Sequence, residues 1–554
     1  MRLKILFTTM IAALAFAGCS SEEDDPINKG DENTDDGYGY VAVNIVEPKS
    51  IGSRANGSDQ FEDGTNAENG AKTGIFCVYN QAGTTMYNDP EPITLTDGGT
   101  PEAGNPYVEK IYKAVLVLDG VTEKPTEPLQ IICILNAPST LSVTKTTTLA
   151  DLKQLINDYS ASSAGAFIMT NSVYKNGETE VCGATVSIDE TTGNLKNSAA
   201  DAMDNPVEIY VERVVARIQA KSVNFNNQGA TIPNTDKKLT IQVTGIEVAN
   251  IAEKSYLFKN ITDINYDTWS WNDPTNKRSY WETVPAVATP ATETSLTFGN
   301  KSYTQIATDG FNIDEVTNDN FKEYVQPNTN SGQKTAILVT AQLMDGDNAA
   351  DLAYIRGAYM TKDDAKKVVA SYLQTQKSYV KLVDGTTDNY TSIVPDDLKW
   401  VNKTDDASIT WLKDYEVVAQ VNSGVTDLKK KNEAGDYVDA TVDEINDYLK
   451  SESAKDIVAR VYTDGKCYYY VNIDQTPVAT DNGYTGDGKF EGVIRNHIYD
   501  LTLNSISGIG TPVFKPEDVI IPQTPTDETL WFLGARINVL KWRLVKQTVD
   551  FTGK

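Results

Sequence analysis

The chain has 554 residues, 40% of them hydrophobic and 9% aromatic, with 77 acidic against 49 basic side chains and a net charge of −28. That length and apolar content suffice for two domains with substantial cores, while so large a negative charge repels the phosphates of nucleic acid and excludes a nucleic-acid partner. With a single histidine and no H-E-x-x-H, Walker A or G-x-S-x-G motif, a surface hydrolase is disfavoured, and no catalytic residue, cofactor or metal-ligand set is expected.

The amino terminus reads as a targeting segment. Arg2 and Lys4 precede an apolar run from Ile5 to Phe16, and Ala17-Gly18 places small residues before Cys19. Residues 1–18 are read as a signal peptide and Cys19 as a lipidated residue; the apolar run is too short for a membrane-spanning helix. The acidic stretch from Ser20 to Asp36 holds too little apolar surface to bury a core and is read as a tether. Ser followed by acids directly after that cysteine also resembles the surface-export signal of Bacteroidetes lipoproteins.

The first strand-like run is Tyr38 to Val46, with Val41, Val43 and Ile45 on one face. Just beyond it lies Arg54, the one arginine between Cys19 and Arg213. A trypsin-like protease cutting between Arg54 and Ala55 would release that strand and leave an unpaired groove in its sheet. Further strands are expected at Thr73–Tyr79, Ala114–Leu118, Leu129–Leu135, Val207–Ile218 and Leu239–Val248, β-branched or alternating runs between polar turns. Helical patterns are few: Leu149–Tyr159, Thr361–Gln376, Thr441–Leu449 and Ala454–Val461. The last three look like decorations on a β framework. The polar, small-residue stretch Ala200–Pro206 marks the expected domain boundary.

Pro512, Pro516, Pro522 and Pro525 make residues 511–529 an expected semi-stiff connector of ~3 Å per residue. It leads to a last burst of strand formers that includes Ile537, Val539, Leu540, Trp542 and Leu544. Cys77, Cys133, Cys182 and Cys467 sit beside apolar residues and read as small buried hydrophobes, with one or two disulfides left open. His497 reads as structural. Arg213 and Arg217 are expected to form ion pairs, and Asp345 to Asp351 reads as an acidic turn.

Several segments are similar to signatures of the type V fimbrial major-subunit family of Bacteroidales, the fimbrillins, closest to the short-fimbria major subunit. They are Ser53-Arg54-Ala55, Val211 to Arg217, Tyr324 to Thr329 with Thr335 to Ala341, Gly492 to Leu503 and Asn538 to Trp542. The resemblance implies a mainly β fold of two transthyretin-like β-sandwich domains with a few inserted helices. The implied division is 1–18 signal peptide, 19–54 lipidated propeptide with a removable strand, 55–206 and 207–510 the two sandwiches, and 511–554 linker and donor strand. It further implies an outer-membrane lipoprotein precursor, palmitate-bearing at Cys19, cut by an arginine-specific protease after Arg54. Val41, Val43 and Ile45 would leave with the displaced strand, and Ile537, Val539, Leu540, Trp542 and Leu544 of a second copy would replace them by donor-strand exchange. The partners so implied are other copies in a cell-surface fimbrium, its anchor and tip subunits, the protease, and the outer membrane before cleavage, the whole serving cell adhesion. The competing reading is a lipid-anchored, non-polymerising adhesin or glycan-binding lipoprotein, which would keep its first strand.

Overall fold

The structure is a computed structural model and describes residues 39–48, 64–65, 67–99, 108–118, 125–157, 167–189, 191–222, 227–262, 272–274, 277–318, 321–383, 388–473, 492–522 and 531–540. The fold is mainly β. In the first domain the runs rich in Val, Ile, Leu and Tyr become β1 (Gly39–Pro48), β2 (Thr73–Tyr79), β3 (Val108–Leu118), β4 (Leu129–Leu135), β5 (Met169–Asn171) and β6 (Val207–Arg213), as expected of side chains that fit a pleated surface.

They belong to one ten-stranded sheet among the described residues, whose main path runs Ile93–Thr94, β2, β4, β5, β6, β1, β3, Thr96–Asp97. The sheet folds across its own core, so that Val41, Val43 and Ile45 of β1 meet Phe76 of β2 and Ile131 of β4. The opposite faces of β2 and β4 are buried too: Ile75, Cys77, Ile132 and Ile134 pack with Leu257, Phe258 and Ile261 from later in the chain. That two-sided burial explains why both strands read as continuous apolar runs.

Two short helices complete this half. α1 (Leu149–Lys153) starts with a Thr148–Asp151 capping box and stops well short of the expected Tyr159, because Ile156–Asn157 pairs instead with Ser255–Tyr256. α2 (Ala199–Met203) occupies the expected boundary stretch and lies against β1.

The expected single strand Val207–Ile218 is two strands in two sheets. The chain leaves the first sheet after Arg213, buries Val214 and Val215 between the domains, and enters the second as β7 (Ala216–Ser222). The chain therefore changes sheet at Val214–Val215. Apolar positions are odd-numbered through Val211 and even-numbered from Val214, so the bend is written in the sequence as a slip of phase that the overall alternation of the run masks.

The second domain adds β8 (Lys238–Ala249), β9 (Phe321–Val325), β10 (Ala336–Asp345), β11 (Lys466–Asn472), β12 (Ile498–Gly508) and β13 (Trp531–Leu540). One sheet runs β9, β7, β12, β13; the other runs Gln228–Thr231, β8, β10, β11, Thr511–Pro512. Ile218, Leu501 and Leu503 from the first pack with Ile241, Val339 and Tyr469 from the second to close a sandwich.

The helices expected as separate decorations share one small unit between β10 and β11. α3 (Lys362–Lys377) and α4 (Val442–Lys450) pack around Val369, Leu373, Leu398, Val417, Ile445 and Leu449, a core separate from both sandwiches. The expected helix at Ala454–Val461 is a 3-10 turn, Glu452–Ile457, followed by strand Ala459–Tyr462, which pairs with Leu352–Ile355. The start of the expected connector is also different. Thr511–Pro512 pairs with Cys467 and Tyr468, Val513 and Ile520 are buried, and Lys515 and Asp518 bond to Asp405 and Asn402. Proline is compatible with such edge pairing, so residues 511–522 are strapped to the body.

Candidate functional site

β1 is an interior strand. It runs antiparallel to β3 over its whole length and parallel to β6 from Val43 to Val46, with Leu195–Lys196 pairing at its start. Val41 and Ile45 are 0% exposed and Val43 is 1% exposed, each packed into the first domain's core. Ala42, between them in the sequence, is 3% exposed, and α2 lies against β1. Asn44 is half-buried, with Lys113 opposite it on β3 and Glu208 on β6. Taking β1 away would unpair the facing edges of β3 and β6 along their contacts with it and open an apolar trough between them.

Beyond β1 the chain passes through Arg54 and Ala55, which, like Cys19, lie outside the described residues. It then becomes firmly held at Glu68 and Asn69, both buried between the two domains. Arg217 of β7 donates from Nη1 to Glu68 Oε1 at 2.6 Å, and Tyr324 of β9 donates its hydroxyl to the same oxygen at 2.7 Å. Arg213 of β6 donates from Nε to the Glu68 carbonyl at 2.9 Å, from Nη2 to Asn69 Oδ1, and from Nη1 to Asn496 Oδ1 at 3.0 Å. Burial alone would raise the Glu68 carboxyl, but the Arg217 charge, with the Thr65 N–H and the Tyr324 hydroxyl, overrides it and holds the group down at about 2.

A second buried cluster ties the domains, and a third lies beside it within the second domain. Glu212 of β6 meets Lys259 at 2.6 Å and Arg278 at 3.3 Å. Arg495 meets Glu282 at 2.8 Å and donates to the carbonyls of Tyr256 and Leu257. Of the ion pairs expected for Arg213 and Arg217, Arg217 forms one with Glu68, while Arg213 bonds to the Glu68 carbonyl and to the Asn69 and Asn496 amides; the sequence reading missed Glu68, Glu212, Lys259, Arg278, Glu282 and Arg495. The one available signal was charge inside otherwise apolar runs, as in Val493-Ile494-Arg495.

At the other end, β13 is an edge strand among the described residues. It pairs with β12 alone, from Trp531 opposite Gly508 to Leu540 opposite Ile498. Ile537 and Val539 stand opposite Leu501 and Tyr499, two residues of the second core. Trp542 and Leu544 lie outside the described residues. β1 and β13 thus belong to different sheets and do not pair with each other among the described residues.

The remaining candidates are structural. His497 is 2% exposed, its Nδ1 is 2.7 Å from the Arg495 carbonyl, and its ring meets Tyr280 edge-on. Asp345 and Asp351 pair with Lys237 and Lys362. Cys77, Cys133, Cys182 and Cys467 are free and buried, which resolves the open disulfide question. Cys77 and Cys133 sit on adjacent strands but face different cores. No group of His, Cys, Asp and Glu among the described residues is arranged to hold a metal ion.

A family model described as "Major fimbrial subunit protein type IV, Fimbrillin, C-terminal" matches residues 460–548, the stretch that contains β11, β12 and β13. No curated protein matches the chain. Among solved structures, a candidate cell adhesion protein from Parabacteroides distasonis is similar at 14% identity over 93% of this chain and 98% of that one, with a TM-score of 0.39. The tip fimbrial protein Mfa3 from Porphyromonas gingivalis, with a C-terminal truncation, is similar at 9% identity over 91% and 99%, TM-score 0.31. The fimbrial anchor protein Mfa2 from the same organism is similar at 6% identity over 92% and 99%, TM-score 0.24.

Proposed function

We propose that this chain is a structural subunit of a fimbrial shaft, exported as a lipoprotein with Cys19 lipidated and matured by arginine-specific cleavage after Arg54. Cleavage frees β1 together with the lipid anchor, and the carboxy-terminal strand of a second copy takes its place. Filaments grow by repetition, because a head-to-tail contact that does not close propagates. The assembled fibre supports adhesion at the cell surface, with anchor and tip subunits at its ends.

The observation that carries this reading is the position of β1: an interior strand with Val41, Val43 and Ile45 buried, whose covalent link to the body runs through the segment bearing Arg54. An interior strand is held by two neighbours, so the precursor is closed and monomeric until it is cut. Once cut, strand and body are held by noncovalent contacts alone, and an incoming strand restores both ladders and the apolar contacts. Burial of roughly 600 Å² of apolar surface by the donor contributes on the order of 15 kcal/mol before ordering costs. The match of residues 460–548 to the fimbrillin carboxy-terminal region supports the same reading.

Limited digestion of the purified precursor with a trypsin-like protease tests it. The expected result is a new amino terminus at Ala55 followed by denaturant-resistant ladders on gels. Arg54→Ala should stay monomeric under the same treatment, and so should a chain lacking residues 530–554. Ladders from either variant would remove the mechanism and leave the anchored adhesin, which retains β1, as the better account.

A further inference from the structure

We infer that the incoming strand of the second copy occupies the β1 groove in one register: Leu533, Ala535 and Ile537 replace Val41, Val43 and Ile45, Gly534 replaces Ala42, and Arg536 replaces Asn44. This rests on the donor-strand reading above and adds the residue-by-residue fit to it.

The groove sets three requirements. Positions 41, 43 and 45 are at most 1% exposed and face the first core, so they exclude charges and amides. Position 42 is an alanine only 3% exposed, on a strand that α2 lies against, so it takes a side chain no larger than alanine without repacking. Position 44 is half-buried between Lys113 and Glu208 and accepts a polar or charged group.

Sliding the sequence from Trp531 to Lys554 past the first requirement leaves five alignments. In every other frame Arg536, Asn538, Lys541, Arg543, Lys546, Gln547 or Asp550 falls on a buried position. The five survivors put Phe532, Gly534, Arg536, Lys541 or Asp550 in the place of Ala42. Only Gly534 meets the second requirement. In that alignment Arg536 falls at position 44 beside Glu208, which meets the third.

The pairing of β13 within its own domain agrees with this choice of face. Leu533, Ala535 and Ile537 stand opposite Ile506, Leu503 and Leu501, all three in the second core. Directly opposed residues of an antiparallel pair share a face.

Cysteine cross-linking of assembled filaments reads the register. Position 44 stands opposite Lys113 on β3, so processed Lys113→Cys/Arg536→Cys protein should give inter-subunit disulfides on mild oxidation and a ladder on non-reducing gels. The four cysteines beyond Cys19 are buried and stay out of the reaction. Lys113→Cys combined with Gly534→Cys, Asn538→Cys or Arg543→Cys should give none, since those report three of the competing frames. A ladder from any of them in place of the Arg536→Cys pair would overturn the register. Filaments that form without cross-linking in the Lys113→Cys/Arg536→Cys protein would overturn it too. Unsubstituted processed protein run in parallel separates the two levels: if it fails to polymerise, the donor-strand reading falls and the register with it. As an independent check, Gly534→Leu should lower filament yield about tenfold or more through overpacking at position 42, with the monomer's circular dichroism unchanged. Undiminished yield from that variant would count against the fit.

Discussion

Glu68 carries more consequence than any other single carboxylate described here, because its partners come from both domains. Arg217 is 2% exposed, and removing its counter-charge would leave a buried guanidinium without the carboxylate it faces. Glu68→Gln should therefore destabilise the protein by about 3–5 kcal/mol, read from denaturant unfolding at neutral pH. A loss below about 1 kcal/mol would show that the pair is dispensable. The carboxyl is held at about 2, against an ordinary 4.5, so its contribution is fully present above pH 4.5 and is lost as pH falls toward 2. Stability measured across that window should drop by about 3 kcal/mol more in the unsubstituted protein than in Glu68→Gln. Equal slopes for the two proteins would contradict the assignment. The thiols make a complementary case. Burial pushes Cys77 and Cys467 up to about 12 and Cys133 higher still, so a thiol reagent at pH 8 should label these three only after unfolding. Rapid labelling of the native protein would mean that the cores open.

At the scale of elements, β1 differs from the helical unit in how its loss is felt. Ile45 is 0% exposed between Tyr112 and Ile209, its register partners on β3 and β6. Ile45→Ala should cost about 2–5 kcal/mol of precursor stability in equilibrium unfolding, and a cost near zero would mean that the groove collapses around the smaller residue. Leu373 of α3 is equally buried, but in a core of its own. Leu373→Ala should accelerate hydrogen exchange across residues 362–450 and leave β10 protected; exchange that rises equally in β10 would show that the small unit and the sandwich unfold together. Strands such as β2 and β4 were legible in the chain because their side-chain types state both conformation and burial. The bend at Val214–Val215 was legible only as a slip in the apolar phase, from odd positions through Val211 to even ones from Val214, and two buried valines look the same in one sheet or between two. The grouping of α3 with α4 was not legible, because their shared core is assembled from segments many residues apart. The strapped segment 511–522 was misjudged for a related reason: proline content describes what a backbone can do alone, whereas Val513 and Ile520 decide where it docks. The groove residues Val41, Val43 and Ile45 were visible as one strand face; that β1 lies between two strands rather than at an edge was not, because pairing partners are a property of the whole sheet.

For the whole molecule, the question is whether the two sandwiches act as one body. Three ionic clusters cross or flank their junction: Glu68 with Arg217, Glu212 with Lys259 and Arg278, and Arg495 with Glu282. Around them lies an apolar layer in which Ile132 and Ile134 of β4 meet Leu257 and Phe258. Such charges cost more to separate than to keep, since opening the junction would expose the apolar layer while each ion that stayed buried would lose its partner. In the fibre proposed above, a stiff internal junction would transmit strain to the strand exchanged between copies. Calorimetry should therefore show one transition for both sandwiches in the precursor, with a calorimetric enthalpy matching the van't Hoff value. Glu68→Gln combined with Glu212→Gln removes the carboxylates of two clusters while leaving the cores intact, and should split that transition in two, the first domain separating from the second. Two resolved transitions in the unsubstituted protein would show that the junction is no stronger than a linker, and the fibre's stiffness would then have to reside in the exchanged strand alone.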